Sequence, residues 1–366
     1  MPASVADSDR IVAQFEVRYR QFLDEEGSPL APLPDFCRDV DLMLSIYRGM
    51  HLARAFDAKC VNLQRTGRLG TFATSLGQEA IAVGVASAMR ASDILVPSYR
   101  EAGAQIWRGC RMEELLLYWG GDERGHAFAD PAVTQDFPIS ITVANHALHA
   151  AGVAAAMKLK AEDRAAVCLF GDGATSKGDV YEAINVAGVW QLPLIFMIVN
   201  NQWAISTPLE RQTAALTLAQ KGIAGGLSVL QVDGNDVIAV RDAMMEALDA
   251  ARRGAGASLI EGVTYRLNDH NTADDSSRYR NLEEVKARWR FCPLRRMRAF
   301  LESRAAWSEK RELAMQAEIA SLIDSAADRY LATAPPLPDQ MFAHTYARLP
   351  AGLMAQRVEA LGRAHE

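Results

Sequence analysis

Apolar residues along this chain alternate between short unbroken runs and longer stretches with helical spacing. Residues 165–170 and 193–199 are unbroken runs, the first closed by Gly171, and such runs suit strands of a parallel sheet buried on both faces. Between them, Val180, Ile184, Ala187 and Val189 recur at helical intervals over 178–190. Asp179 and Glu182 lie near the start, where acidic side chains oppose the helix dipole. The unit is strand, helix, strand, and a right-handed crossover carries both strand ends to one edge of the sheet, where open α/β folds bind ligands.

The same reading extends along the chain. A long helix is predicted over 39–64, with Leu42, Leu44, Tyr47, Met50, Ala53 and Phe56 as apolar positions and Gly67 and Gly70 to end it. A second helix is predicted over 78–89, then a strand over 94–96 and a turn over 98–101. Asn235 is the expected N-cap of a helix over 236–253, Gly254 its stop, and 258–265 the next strand. Beyond 281 the pattern is helical and charged as far as Pro335-Pro336. Residues 28–34 contain three prolines and read as part of an extended arm that lies over a partner. Alternating strands and helices imply an α/β fold, a doubly wound and mostly parallel sheet with helical N- and C-terminal extensions. The expected divisions are an N-terminal arm over 1–38, an α/β domain over 39–281 and a helical extension over 282–366.

Composition narrows the function classes. With 366 residues, 49% of them hydrophobic, the chain can bury a large core, and a net charge of −6 gives no basic surplus for nucleic acid or an anionic membrane. Cys37, Cys60, Cys110, Cys168 and Cys292 are odd in number and lack CxxC spacing, which points to reduced thiols in a cytoplasmic setting. Cys168 falls inside a strand and is expected in the core. The charged start at Asp7, Asp9 and Arg10 does not read as a signal peptide, and no apolar run reaches the ~18 residues of a membrane span.

The candidate chemistry lies at the ends of the two apolar runs. Gly171-Asp172-Gly173 is followed after 26 residues by Asn200-Asn201. A carboxylate and an amide oxygen are hard ligands of the kind Mg²⁺ accepts, and Mg²⁺ commonly completes its octahedron with phosphate oxygens and water. Flanking glycines let a backbone approach phosphates closely. A dinucleotide loop is a poorer reading, because Ser176 stands where the third glycine of GxGxxG belongs, and Lys177 is not part of a GxxxxGK[ST] loop. Either turn alone is as compatible with simple strand capping as with ligand binding. The pair at this spacing favours a clamp for a metal-bound diphosphate.

Residues 170–178 (FGDGATSKG), 200–208 (NNQWAISTP), 231–236 (QVDGND) and 263–280 (VTYRLNDHNTADDSSRYR) carry a family resemblance. Over roughly 42–307 the chain resembles the alpha subunit of the decarboxylating first component of 2-oxo acid dehydrogenase complexes, of pyruvate or branched-chain type. The resemblance implies a thiamine-diphosphate-binding fold, with Mg²⁺ held by Asp172, Asn201 and Trp203. It also implies cofactor contacts from Tyr99, Arg100, Ile141, Val143, Gly171, Asp172, Gly173, Ala174, Asn201 and His270. Arg100 would pair with phosphate oxygens bidentately, Ile141 and Val143 would support the aminopyrimidine, and His270 would serve the diphosphate and the reductive acylation of a lipoyl group. On residue type alone, Ile141 and Val143 fit core packing equally well, and a lone His is most often solvated. Polar residues 267–280 read as a mobile active-site loop.

Activation of this cofactor needs a carboxylate from a pyrimidine-binding half-site. The resemblance implies a separate beta subunit to supply it, in an assembly of two alpha and two beta chains, with a lipoyl-bearing acyltransferase as acceptor. Glu79 is the internal candidate that would make the chain self-sufficient, although an acidic residue opening a helix is also ordinary dipole compensation. A scaffold subunit with a relic clamp is the remaining alternative. Three departures from the family stand out. Residues 124–128 (RGHAF) replace a Gly-Arg-Gln-Met-Pro run, a change expected to alter contacts with substrate or partner. Val199 precedes Asn200 where some relatives carry charge, and Asn271 follows His270 where mitochondrial relatives have a regulatory serine. Residues 65–70 and 205–221 lean toward pyruvate-type subunits and 274–280 toward branched-chain ones, with pyruvate slightly preferred.

Overall fold

The computed structural model describes residues 11–131, 133–343 and 345–363. The first ten residues of the expected arm, with Asp7, Asp9 and Arg10, and the last three of the expected extension lie outside them. In chain order the elements are β1 (Tyr19–Arg20), α1 (Val40–Arg65), α2 (Glu79–Ala88), β2 (Ile94–Val96), α3 (Ala102–Arg108), α4 (Met112–Trp119) and α5 (Asn145–Leu159). They continue as β3 (Ala166–Gly171), α6 (Gly178–Val189), β4 (Leu194–Asn200), β5 (Trp203–Ala204), β6 (Thr207–Pro208), α7 (Gln220–Ala224), β7 (Ser228–Asp233), α8 (Val237–Arg252) and β8 (Ser258–Val263). The chain closes with α9 (Leu282–Arg288), α10 (Pro293–Ser303), α11 (Glu309–Ala332) and α12 (Ala351–Arg363).

Six strands form one parallel sheet in the order β1-β7-β8-β4-β3-β2. Alternate residues of its central strands enter different cores. Cys168 and Phe170 of β3, with Phe196 and Ile198 of β4, pack against α5 and α6. Their neighbours Val167, Leu169, Ile195 and Met197 pack against α2 and α8. Both faces are covered, so the strands have no polar alternation, and an unbroken apolar run in the sequence is the result. A third core joins α1, α4, α10 and α11 at one side of the sheet. None of the helices among the described residues is long and apolar enough to cross a membrane, and all five cysteines are free and buried.

Two local differences from the sequence reading have clear causes. The N-cap of α8 is Asp236 rather than Asn235. One Asp236 oxygen accepts the N–H groups of Ile238 and Ala239, while the other accepts those of Phe22 and Leu23 at 2.7 and 2.8 Å. Asn235 instead accepts the Thr264 hydroxyl. That use of Asp236 also anchors the start of the arm: β1 pairs with β7, and Leu23 and Cys37 are buried against this chain, whereas residues 28–32, which include Pro29 and Pro32, are exposed. Val189, counted with the apolar positions of α6, is 71% exposed, because it follows Ala187 by two positions and falls on the side of the helix opposite the face that buries Val180, Ile184 and Ala187.

Candidate active site

The carboxyl ends of β3 and β4 lie side by side, in a register that pairs Gly171 with Val199. Both strands stop there, and the chain turns through a 3₁₀ segment at Asp172–Ser176 and a short hairpin of β5 and β6. A cavity of about 320 Å³ opens at this edge. It is lined by all of Tyr99, Arg100, Ile141, Val143, Gly171, Asp172, Gly173, Ala174, Asn201, Trp203 and His270.

Asp172 is 2% exposed. It accepts Nε2 of Gln212 at 2.7 Å and, among the described residues, makes no ion pair. Burial pushes its carboxyl above the usual range, with the Gln212 hydrogen bond pulling the other way. A desolvated carboxylate with no direct ion-pair partner, influenced only at a distance by Arg266, is a good site for a cation. Asn200 and Asn201 divide their tasks. Asn200 donates to the buried Glu261 at 2.7 Å, whereas Asn201 faces the cavity, takes the Trp203 N–H on Oδ1 at 3.2 Å and donates Nδ2 to Gln78 Oε1 at 3.4 Å. Trp203 could ligate only through its carbonyl, since an indole N–H has no lone pair to give, and that carbonyl already accepts from Arg266 Nη1 at 3.1 Å. Among the described residues no three His, Cys, Asp or Glu side chains gather as a metal site. The donor set is thus one carboxylate and one amide oxygen, which leaves Mg²⁺ to draw its other ligands from a diphosphate, a carbonyl and water.

The glycines of the clamp act differently from the expectation that both admit phosphate. A Cβ on Gly171 would meet nothing within 4 Å, so its backbone is open toward the cavity. A Cβ on Gly173 would lie 2.7 Å from the Cβ of Ala204, so glycine there makes room for the hairpin. That hairpin turns through Ile205 at φ 56°, an unfavourable value for a β-branched residue. Arg266, fully buried, secures the turn by donating to the carbonyls of Trp203 and Ile205.

Arg100 lines the cavity as expected, with its fork already engaged within the chain. Its guanidinium does not project a free fork into the cavity. Nη1 donates to the Thr74 carbonyl, and Nη2 meets both the carbonyl and Nδ1 of His270 at 2.8 Å. Because an arginine N–H only donates, Nδ1 of His270 must accept and its proton resides on Nε2. Burial, then Arg100 and Arg266, bring the His270 imidazole down to about 4, so it is neutral at physiological pH. The 267–280 segment is also tied down rather than loose. His270 N–H donates to Asp274, Ser276 donates to Asp269, and Arg280 donates to Asn268 and Ser276.

Ile141 and Val143 are 56% and 47% exposed, which removes the core-packing reading and leaves them as apolar walls of the cavity mouth. Glu79 does not line the cavity. It pairs with Arg54 Nε at 2.8 Å, and both its oxygens accept the Gly77 N–H. Residues 124–128 do not line it either: Arg124 pairs with Asp122 and reaches the Ala334 carbonyl, and His126 lies on Tyr118.

Of the lining residues outside the predicted site, Gln78 and Glu101 bring polar groups of particular note. Gln78 carries a buried Nε2 with no hydrogen-bond partner. Glu101 is a fully buried carboxyl that burial pushes up to about 7. Adjacency to Glu79 and to Tyr99-Arg100 was the one available signal for either.

Comparison with known proteins gives the family. The dehydrogenase E1 component family matches residues 47–338. The 3-methyl-2-oxobutanoate dehydrogenase subunit alpha of Mycobacterium tuberculosis is 39% identical over 340 residues, 92% of each chain. The pyruvate dehydrogenase E1 component subunit alpha of Acholeplasma laidlawii is 37% identical over 87% of this chain and 92% of its own. That of Staphylococcus aureus is 40% identical over 80% of this chain and 79% of its own. With the family matched across most of its length and relatives aligned nearly end to end, the chain belongs to the dehydrogenase E1 component family.

Proposed function

We propose that this chain is the alpha subunit of a 2-oxo acid dehydrogenase that binds thiamine diphosphate and Mg²⁺ in the cavity at the ends of β3 and β4. The observation that carries the reading is the buried Asp172 carboxylate, held only by amides beside the Asn201 oxygen. Membership of the family implies thiamine diphosphate, and the donor set suits its metal-bound tail. When bound, this cofactor supplies the electron sink that a 2-oxo acid needs in order to lose carbon dioxide.

The chain's own residues then have separable tasks. Asp172 and Asn201 hold the cation, with the Trp203 carbonyl as a third protein oxygen, while Gly171, Gly173 and Ala174 shape the turn that meets the diphosphate. Tyr99 and His270 face the same end, and the neutral His270 offers a donor at Nε2, fixed by Arg100 on the other nitrogen. That donor suits the diphosphate and, later, a lipoyl group arriving to accept the acyl unit. Ile141 and Val143 provide apolar support under the aminopyrimidine.

Glu79 is committed to Arg54 and Gly77, which supports a beta subunit as the source of the activating carboxylate. The assembly we propose has two alpha and two beta chains, works in a reducing cytoplasm and passes its acyl group to a lipoyl-bearing acyltransferase. Pyruvate is the preferred substrate. 3-Methyl-2-oxobutanoate is the second reading, favoured by residues 274–280 and by the Mycobacterium tuberculosis relative. Steady-state assay with an artificial electron acceptor tests all of this. The chain alone is expected to be inactive, and addition of its beta subunit should give turnover on one of the two acids. Turnover by the chain alone, or none by the pair, overturns the proposal.

A further inference from the structure

The cavity contains a donor that the machinery described so far leaves unused. Gln78 is the residue before α2 and is 3% exposed. The start of that helix is anchored, because Glu79 pairs with Arg54 and accepts the Gly77 N–H. The amide of Gln78 therefore has little freedom to swing away.

Its orientation follows from its neighbour. Asn201 Oδ1 accepts the Trp203 N–H, so the other end of the Asn201 amide is the NH₂ group and must donate. The Gln78 atom facing it at 3.4 Å is thus the acceptor Oε1, which leaves Nε2 as the free end. Nε2 is buried and has no protein partner, on a side chain that lines the cavity. A buried N–H₂ left unpaired is costly in a folded protein and is normally satisfied by something. The Arg100 fork is occupied by Thr74 and His270, so the donors left facing the cavity include His270 Nε2 and the Gln78 amide.

We propose that Gln78 is a direct binding residue of the site: Nε2 donates to an oxygen of the bound diphosphate, while Oε1 holds the Asn201 amide with Oδ1 toward the cation. The inference rests on the diphosphate reading above. It adds a contact from the N-cap of α2, an element that otherwise serves the core, and couples the metal ligand and the anion through one amide.

Calorimetric titration of the full chain, purified with its beta subunit, tests this with inorganic pyrophosphate and Mg²⁺ as the probe. Gln78→Met keeps the length and removes both polar ends. It should weaken pyrophosphate binding by about 10- to 100-fold, as loss of a hydrogen bond to a charged group does. Gln78→Lys restores a donor and should recover most of that loss. Should Gln78→Met fail to fold, Gln78→Glu serves in its place, since it keeps an acceptor for Asn201 but turns a carboxylate toward the anion and should bind pyrophosphate more weakly still. Unchanged pyrophosphate affinity in Gln78→Met or Gln78→Glu, with or without a fall in ligand-free melting temperature, assigns Gln78 a purely structural role and overturns the inference. Failure of the wild-type assembly to bind pyrophosphate overturns the functional reading itself, and the Gln78 contact with it.

Discussion

At the start of α2, Glu79 is 1% exposed and meets the Arg54 guanidinium at 2.8 Å; at the end of β3, Asp172 is 2% exposed and meets only amides. The two carboxyls are buried to the same depth, and each sits beside a glycine turn. Their partners separate them. A buried carboxylate facing a guanidinium is electrostatically complete, and removing it would strand the cation. A buried carboxylate whose direct partners are dipoles alone, with the nearest cation only at a distance, is an incomplete site, held in place by the fold and open to a cation from outside. Burial therefore says little about function, whereas the charge of the nearest partner says a great deal. The same criterion explains why Glu79 loses its candidacy for cofactor activation and Asp172 keeps its candidacy for the metal.

The comparison can be broken most directly at Asp172. Asp172→Asn should abolish Mg²⁺-dependent retention of thiamine diphosphate, measured by calorimetric titration, while the ligand-free melting temperature holds or rises. The sign follows from the raised carboxyl: ionisation at neutral pH costs the folded state, and an uncharged amide removes that cost. A fall in ligand-free stability would erase the contrast with Glu79. Glu79→Gln should act in the opposite sense. Stability should drop by about 3 kcal/mol in denaturant unfolding, the lower end for a broken buried pair, since the Arg54 side chain is 22% exposed. Intrinsic metal affinity should survive that change.

The smallest effect is a pH dependence at His270. Its folded value, about 4, lies below the ordinary histidine value, so the unfolded chain binds the extra proton first as pH falls. Its contribution to stability is complete above the unfolded value, near 6.5, and is lost as pH falls toward 4. Urea midpoints measured across that window should fall less steeply in His270→Gln than in the wild type. Parallel curves would mean that Arg100 and burial do not govern the imidazole.

Much of this molecule was legible in its residues. Strands β3 and β4 announced themselves as unbroken apolar runs because both of their faces are covered, and α1, α2 and α6 followed from periodicity to within one or two residues of their ends. The clamp was legible for a related reason. In a parallel sheet, strands adjacent in the chain and joined by one helix end at the same edge, so residues just past both ends must converge. The cap of α8 was not legible, because Asn235 and Asp236 are both good capping residues. Docking of Phe22 and Leu23, more than 200 positions upstream, selects the second. The ordering of 267–280 was equally hidden, since a polar run reads as loose until Arg266 and Arg280 are seen to gather its carbonyls and hydroxyls.

By itself, then, the sequence determined the fold class, the strand ends that meet at the cavity, and the family, because apolar period and local motif depend only on neighbours along the chain. The tertiary structure alone decided how each charged or amide side chain is employed. Arg100 turns to Thr74 and His270, 26 and 170 positions away, Glu79 turns to Arg54, and Gln78 is left with a free donor. A hydrogen bond depends on a few tenths of an ångström between groups distant in sequence, and no periodicity along the chain encodes that separation.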